Sequence, residues 1–178
     1  MQRKLKPEPQ VWEWHESRTD RRQDEFRFGD RIYATLRWDS RFSRLACAQA
    51  AEGRWTFDRP RLLSRDVEIR ANETVIAVYH EKWAGDGTLK FVNGHAIAWE
   101  PTDFWQTRWT FYDDEHGPLV TFVDTSGLLE QRERVTFGPS GLLKSDVALL
   151  VTLGRYLLTL KRQDSAAIAV TAATAAVM

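Results

Sequence analysis

Hydrophobic and polar residues alternate along most of the chain, and hydrophobic residues recur at helical spacing over only one long segment. Residues 31–38 show the alternation, with Ile32, Ala34, Leu36 and Trp38 on one face. Such alternation is typical of half-buried strands. The pattern predicts about ten to twelve short strands, the clearest of which are residues 31–38, 43–51, 53–57, 67–71, 74–80, 88–92, 95–99, 107–112, 119–123 and 132–137.

The helical segment runs from Leu142 to Leu160, and its apolar residues cover most of the helix circumference. At 100° per residue they fill an arc of roughly 220°, whereas a surface helix needs about 100°. The narrow polar strip consists of Lys144, Ser145, Thr152, Arg155 and Thr159. Because the rest of the chain is rich in strands, we expect a mainly β protein. Its closed antiparallel barrel surrounds a hydrophobic C-terminal helix at about residues 145–162.

Two other placements of the helix are open at this stage. At about 1.5 Å per residue the segment is long enough to span a membrane, but Arg155 near its middle would cost roughly 2.5–3.5 kcal/mol there. A helix outside the barrel would need a wider polar face. Both alternatives fit the residues less well than an enclosed helix.

Local signals mark the ends and the middle of the helix. We expect Ser145 to cap the N-terminus and Asp146 to lie in the first turn, where its charge suits the helix dipole. Gly154 lies within the apolar arc, so it is expected to admit a close approach by strand backbone. Lys161 and Arg162 complement the C-terminal end.

The clearest turn signal is Asn93–Gly94, which is typical of a two-residue type I′ hairpin. Such a turn pairs Val92 with His95 and fixes the register of both strands. The apolar face predicted for this hairpin consists of Leu89, Phe91, Ala96 and Ala98.

The chain divides into three parts by composition. Residues 1–30 form a polar leader, partly ordered, that could add one edge strand through Trp12 and Trp14 or through Phe26 and Phe28. Residues 31–162 form a single barrel domain. Residues 163–178 form an Ala-rich tail whose composition allows a helical extension, a last strand or disorder.

Charge and cysteine content narrow the classes of function. The chain has 25 basic and 25 acidic residues, so its overall charge gives no electrostatic case for a nucleic-acid partner. The single Cys47 excludes an internal disulfide and suits the cytoplasm, and we interpret it as a buried residue of a small-residue strand rather than a catalytic thiol. The N-terminal residues lack the apolar run of a secretory signal.

The aromatic stretch that begins at Trp99 and continues through Phe104, Trp105, Trp109 and Phe111 precedes the hydrophobic helix LLVTLGRYLL. With the many short strands, this layout resembles the tubby C-terminal-like superfamily, and in particular its LURP-one-related and phospholipid-scramblase-like branches. The resemblance implies a closed barrel of about twelve strands around a C-terminal helix. Members of the family are associated with membrane phosphoinositide binding, with lipid scrambling or with no known activity, and no residue of this chain matches a family site.

A search for chemistry identifies few candidates. Asp113, Asp114, Glu115 and His116 could gather a divalent cation, but at a hairpin tip we interpret them as a solvated turn. His95 is interpreted as a strand-end side chain, because the sequence pairs it with no carboxylate. We therefore predict no catalytic, cofactor-binding or metal-binding residues and no cofactor.

Three classes of function remain. The first is a non-enzymatic binding or scaffold module, with anionic lipid or protein as its partner and a cytoplasmic, peripheral membrane location. The second is a lipocalin-like carrier of an apolar ligand, suggested by the Gly-x-Trp pattern at Gly53–Trp55. The third is an enzyme, for which the sequence shows no recognisable set of catalytic residues. The binding module is preferred because an internal helix leaves no central cavity. No transmembrane span is expected, and the sequence specifies no oligomeric state.

Overall fold

The computed structural model describes residues 11–40, 43–60, 64–82, 85–125, 132–140 and 146–175, with side chains up to residue 167. Alternating strand patterns and the single helical pattern produce twelve strands followed by one helix. The elements are β1 (Trp12–Glu16), β2 (Gln23–Phe28), β3 (Arg31–Trp38), β4 (Leu45–Ala50), β5 (Gly53–Asp58), β6 (Asp66–Ala71), β7 (Thr74–Glu81), β8 (Gly87–Phe91), β9 (Ala96–Pro101), β10 (Arg108–Asp113), β11 (Gly117–Asp124), β12 (Glu133–Phe137) and α1 (Val147–Ala175).

The strands form one closed antiparallel barrel, as the sequence predicts. Each strand pairs with the next in the chain, and β1 closes the barrel by pairing with β12. Closure leaves no unpaired sheet edge among the described strands, so none of them offers an edge that could recruit another chain. Inward-facing residues of the strands form a continuous hydrophobic core with α1.

The barrel begins earlier in the chain than the sequence analysis placed it. Residues 12–28, which were assigned to a leader with at most one edge strand, supply both β1 and β2. Trp12 pairs with Phe28 and Trp14 with Phe26 across these two strands. Both aromatic pairs are therefore strand residues, and β1 is the strand that closes the sheet. Residues 1–10 of the proposed leader lie outside the described residues.

The helix fills the lumen of the barrel. The ten consecutive residues 148–157 are all buried, so more than two full turns are covered on every side. The apolar arc explains most of this burial. Two residues of the polar strip, Thr152 and Arg155, are buried as well. The buried hydroxyl of Thr152 finds its hydrogen-bond partner within the helix, because it donates to the carbonyl of Ala148 at 2.9 Å.

The C-terminal end of the helix differs from the expected one. Ser145, the predicted cap, lies outside the described residues, while the carbonyl of Asp146 accepts the first helical hydrogen bond from Leu150 at 3.0 Å. The helix continues to Ala175, so the Ala-rich tail extends it. Gly154 does admit a close approach, but by an aromatic ring rather than strand backbone: a Cβ there would lie 2.3 Å from the ring of Phe122.

Asn93–Gly94 lies in a hairpin turn, but this turn is not the predicted type I′ turn. A type I′ turn needs positive φ at both central residues, and here only Gly94 has it, at 90°. The type I′ geometry occurs instead at Asn72 and Glu73, whose φ angles are 48° and 67°. The sequence signal located a hairpin correctly but assigned it the wrong turn.

This turn shifts the register of the hairpin by one residue. Leu89 pairs with Ile97, whereas the predicted register places it opposite Ala98. Ile97 and Trp99 therefore face the lumen and are buried. A one-residue slip moves every side chain of a strand to the other face. The prediction that Ala96 and Ala98 face the core is therefore wrong.

Cys47 lies on a small-residue strand, but on its outer face. Its neighbours Ala46 and Ala48 are buried, whereas Cys47 is only half-buried. The Nε of Arg54 donates to the Cys47 sulfur at 3.1 Å. The expectation of a buried thiol is thus corrected, because the alternation of β4 turns this residue outward.

Candidate functional site: the two ends of the barrel

The antiparallel order places six connecting segments at each end of the barrel. The longer connections define the loop end, whose described residues are 17–22, 39–40, 43–44, 59–60, 64–65, 82, 85–86, 102–107, 125 and 132. The tight turns and the segment leading into α1 define the turn end, whose described residues are 29–30, 51–52, 72–73, 92–95, 114–116, 138–140 and 146. The helix starts at the turn end and leaves at the loop end, where Lys161 contacts Gln106 and Asp164 contacts Arg59.

Charged residues are sorted between the two ends, although the chain as a whole is neutral. The described cations of the loop end are Arg18, Arg21, Arg22, Arg44, Arg59, Arg65, Lys82 and Arg132. Its described acids are Asp20, Asp39, Asp86 and Asp103. The described acids of the turn end are Asp30, Glu52, Glu73, Asp114, Glu115 and Asp146, and no described residue there is Lys or Arg. Among the described residues, one end of the barrel is therefore basic and the other is acidic.

Two large aromatic side chains project from the loop end. Phe104 is 90% exposed and Trp105 is 80% exposed, and their rings contact each other edge to face with centroids 5.3 Å apart. Both lie in the connection between β9 and β10. Single exposed apolar residues are ordinary, but an adjoining pair of this size forms an apolar patch at the tip of the barrel.

Hydrogen bonds hold the 102–107 connection in place. The carboxylate of Asp103 accepts bonds from the Arg108 N–H at 2.8 Å and from both the N–H and the hydroxyl of Thr107. The Thr107 hydroxyl bond is the main reason that the pKa of Asp103 is lowered. The carbonyl of Gln106 accepts a bond of 2.9 Å from the indole N–H of Trp109, which anchors the connection to the barrel wall.

A groove of about 280 Å³ opens between this connection and the emerging helix. Trp109 and Lys161 form part of its lining, with the Lys161 ammonium 3.9 Å from the centre of the Trp109 ring. Burial lowers the pKa of Lys161. The groove is an open surface feature at the rim, so it does not provide the enclosed lumen of a ligand carrier.

Ion pairs clamp the helix where it leaves the barrel. The buried Arg59 guanidinium lies 2.6 Å from the Glu81 carboxylate and 3.2 Å from that of Asp164 on the helix. Arg44 reaches the same Asp164 at 3.1 Å. Burial raises the pKa of Glu81, and Arg59 opposes that shift. Part of the loop-end charge is therefore used to hold α1, while Arg18, Arg21 and Lys82 are exposed.

A second ion-pair network lies inside the lumen. Arg155 contacts Asp24 on β2 at 3.0 Å and Glu133 on β12 at 2.9 Å, so it links the two strands that flank β1. Burial alone would lower the pKa of Arg155, but Glu133 and Asp24 outweigh it and raise the pKa. Arg162 adds a further cation against Glu133. The network fixes the helix beneath the strand that closes the barrel.

At the turn end, a buried carboxylate joins two histidines. Asp113 is 2% exposed, and its two oxygens lie 2.9 Å from His95 Nε2 and 3.0 Å from His116 Nδ1. The Glu115 N–H donates to the same carboxylate at 2.9 Å. The interpretation of 113–116 as a solvated turn is therefore wrong for Asp113, although Asp114 and Glu115 are exposed. The cluster ties the β8–β9 turn to the β10–β11 turn.

Sequence reasoning missed the partner of His95 because eighteen positions separate it from Asp113. The one available signal was that Asp113 occupies an inward-facing position in the alternation of β10, where a buried carboxylate needs partners. Sequence reasoning also missed the sorting of charge, since a neutral total conceals how the connections distribute it. Phe104 and Trp105 were noted for their aromaticity, but nothing in the sequence distinguished them from the core aromatics around them.

The fold and these features together define a twelve-stranded barrel filled by its own helix, with a basic, aromatic-tipped end and an acidic end. No family model matches the chain, and neither a curated protein nor a solved structure matches it. Among the described residues, no group of three or more His, Cys, Asp or Glu side chains is arranged to hold a metal ion. No helix in the described part of the chain combines the length and apolarity needed to cross a membrane.

Proposed function

We propose that this protein is a non-enzymatic binding module that attaches to an anionic lipid surface through the loop end of its barrel. The observation that carries the proposal is the excess of basic over acidic residues at that end, in a barrel whose lumen is already filled. The resemblance to tubby-like proteins favours the same class of partner. The cytoplasmic leaflet is the anionic surface that such a module would meet in a cell.

The electrostatics of the loop end suit a membrane surface. Each Lys or Arg near an anionic bilayer contributes about 1 kcal/mol to binding. The exposed cations at this end include Arg18, Arg21, Arg22 and Lys82. Their attraction is screened over roughly 10 Å at 0.1 M salt, so binding should weaken as salt rises.

Vesicle co-sedimentation with two matched variants tests the proposal. Arg21→Gln/Lys82→Gln removes two exposed cations from the loop end, and Arg31→Gln/Lys90→Gln removes two exposed cations from strand positions next to the turn end. With phosphatidylserine-containing vesicles we expect the first pair to lose about 2 kcal/mol of binding, or roughly 30-fold in partition. The second pair should bind like the unmodified protein, because its charges face away from the membrane.

Three results would contradict the proposal. These are no binding to anionic vesicles, equal binding to neutral phosphatidylcholine vesicles, and equal losses in the two variants. Circular dichroism of each variant provides the folding control, since all four residues are exposed.

A titration with a fluorescent fatty acid distinguishes the module from a lipocalin-like carrier. The buried residues 148–157 occupy the space that a carrier reserves for its ligand. We expect no saturable uptake at one ligand per chain. Stoichiometric uptake that is independent of salt would favour the carrier instead.

A further inference from the structure

The exposed aromatic pair at the loop end contributes little to the packing of the described residues. Phe104 and Trp105 contact each other, and at 90% and 80% exposure they bury little surface against the barrel. We propose that Phe104 and Trp105 form an anchor that enters the boundary between headgroups and acyl chains of the bilayer. This inference rests on the proposed function and specifies how that function is carried out.

The connection that carries the pair is built to hold it outward. Asp103 closes the connection on one side by accepting bonds from Thr107 and Arg108. Gln106 adopts a φ of 54°, which a residue other than glycine seldom does, and its carbonyl is held by Trp109. Because these bonds fix the backbone on both sides of the pair, the exposure of the rings is a property of a formed structure rather than of a loose chain.

The position of the pair matches the charge of its surroundings. The pair lies at the same end as the excess of cations, and α1 leaves the barrel beside it, with Lys161 in contact with Gln106. Trp and Phe favour the membrane interface, where one part of the residue is apolar and the other is wet. An interface with another protein would also place a polar rim around an apolar centre. The described connections at this end carry eight cations against four acids, and that excess favours an anionic lipid surface.

Two kinds of attraction predict two kinds of salt dependence. Electrostatic binding is lost at high salt, whereas insertion of apolar side chains persists there. Stable attachment of peripheral proteins commonly needs both contributions. We therefore expect the unmodified protein to keep a residual affinity for anionic vesicles at 0.5 M salt, and we assign that residual to Phe104 and Trp105.

The test compares Phe104→Ser/Trp105→Ser with Val92→Ser. Val92 is 76% exposed at the turn end, so its substitution removes an exposed apolar side chain from the opposite end. We expect the double variant to lose at least about tenfold in partition at low salt and all of the residual binding at 0.5 M salt. The Val92→Ser variant should retain both. Thermal unfolding should be unchanged in both variants, because the substituted side chains are exposed.

A direct reading of insertion comes from fluorescence quenching by a brominated phosphatidylcholine mixed with phosphatidylserine. The chain has eight Trp residues, and most of them lie in or against the core. Quenching should occur in the unmodified protein and disappear in Trp105→Phe, which keeps an apolar anchor and should still bind.

The possible results separate the inference from the proposed function. Loss of residual binding in the double variant, together with quenching that depends on Trp105, supports the anchor. Unchanged partition of the double variant at both salt concentrations overturns the anchor but leaves electrostatic attachment intact, and it is also the result expected if the pair docks against a protein. Failure of the unmodified protein to bind anionic vesicles overturns both.

Discussion

The loop end and the turn end are made from the same twelve strands, yet they differ in charge, in connection length and in exposed apolar surface. Described residues of the loop end carry eight cations against four acids, and those of the turn end carry six acids. The loop end exposes Phe104 and Trp105, while the turn end exposes Val92. The difference shows that the described connections carry a charge imbalance that the neutral total of the chain conceals.

Chain geometry explains part of this sorting. Tight turns at the turn end favour Asp, Asn and Gly, because these residues form local hydrogen bonds or tolerate positive φ. The helix also starts there, and acids such as Asp146 suit its positive N-terminal end. The loop end has longer connections that impose no such preference. Its cations are therefore more informative about a partner than the acids of the turn end are.

The largest expected effect comes from breaking the buried ion-pair network near the loop end. Arg155 lies in the enclosed part of α1, and it holds together Asp24 and Glu133 at the loop-end starts of β2 and β12. Arg155→Met leaves two buried carboxylates without this cation, which costs about 3–5 kcal/mol when a buried pair loses one partner. Urea denaturation followed by Trp fluorescence should show this loss of unfolding free energy.

The matched control for this prediction is Arg134→Met. Arg134 is exposed on the barrel wall, and its contact with Glu13 is 3.7 Å long. Exposed pairs of this kind contribute less than about 1 kcal/mol. A loss in Arg155→Met no greater than in the control would show that the lumen network does not hold the barrel together.

A smaller effect is expected from the two aspartates that organise one connection at each end. Asp113→Asn removes a buried charge from two histidines and from the Glu115 N–H, and we expect a loss of about 1.5–3 kcal/mol. Asp103→Asn at the loop end changes an exposed carboxylate, so its effect on unfolding should be smaller. The order of the two denaturation midpoints tests the difference in burial between the ends. A midpoint for Asp103→Asn at or below that for Asp113→Asn would contradict it.

The architecture could be predicted because it depends on patterns that act over short distances. Alternation identified the strands, and the wide apolar arc of α1 required an enclosure. The burial of Arg155 could not be predicted, since Asp24 lies 131 residues before it and its other partner lies on the last strand. The register of the β8–β9 hairpin was also missed, because the Asn93–Gly94 signal is shared by turns that differ by one residue in length.

The candidate site was the least predictable part of the molecule. The sequence contains the cations of the loop end, but they are spread over five connections that only the closed barrel brings together. His95 and Asp113 are joined in the same way, by neighbouring strands rather than by spacing along the chain. Features that depend on the whole topology cannot be recognised until the order of strands is known.

The smallest expected effect is a dependence of folding stability on pH. It comes from Glu81 at the loop end, whose carboxylate pairs with Arg59, the residue that also holds Asp164 of the helix. Burial raises the pKa of Glu81 from its ordinary value of 4.5, with Arg59 opposing the shift. The folded protein therefore holds this proton more tightly than the unfolded chain does, so stability falls as pH rises from about 4.5 through the raised pKa. Glu81→Gln has no proton to lose, and subtracting its urea midpoints from those of the unmodified protein isolates this contribution. We expect the difference to shift against the unmodified protein as the pH rises above about 4.5. A shift in its favour would mean that the attraction of Arg59 outweighs burial and that the clamp stabilises the ionised carboxylate.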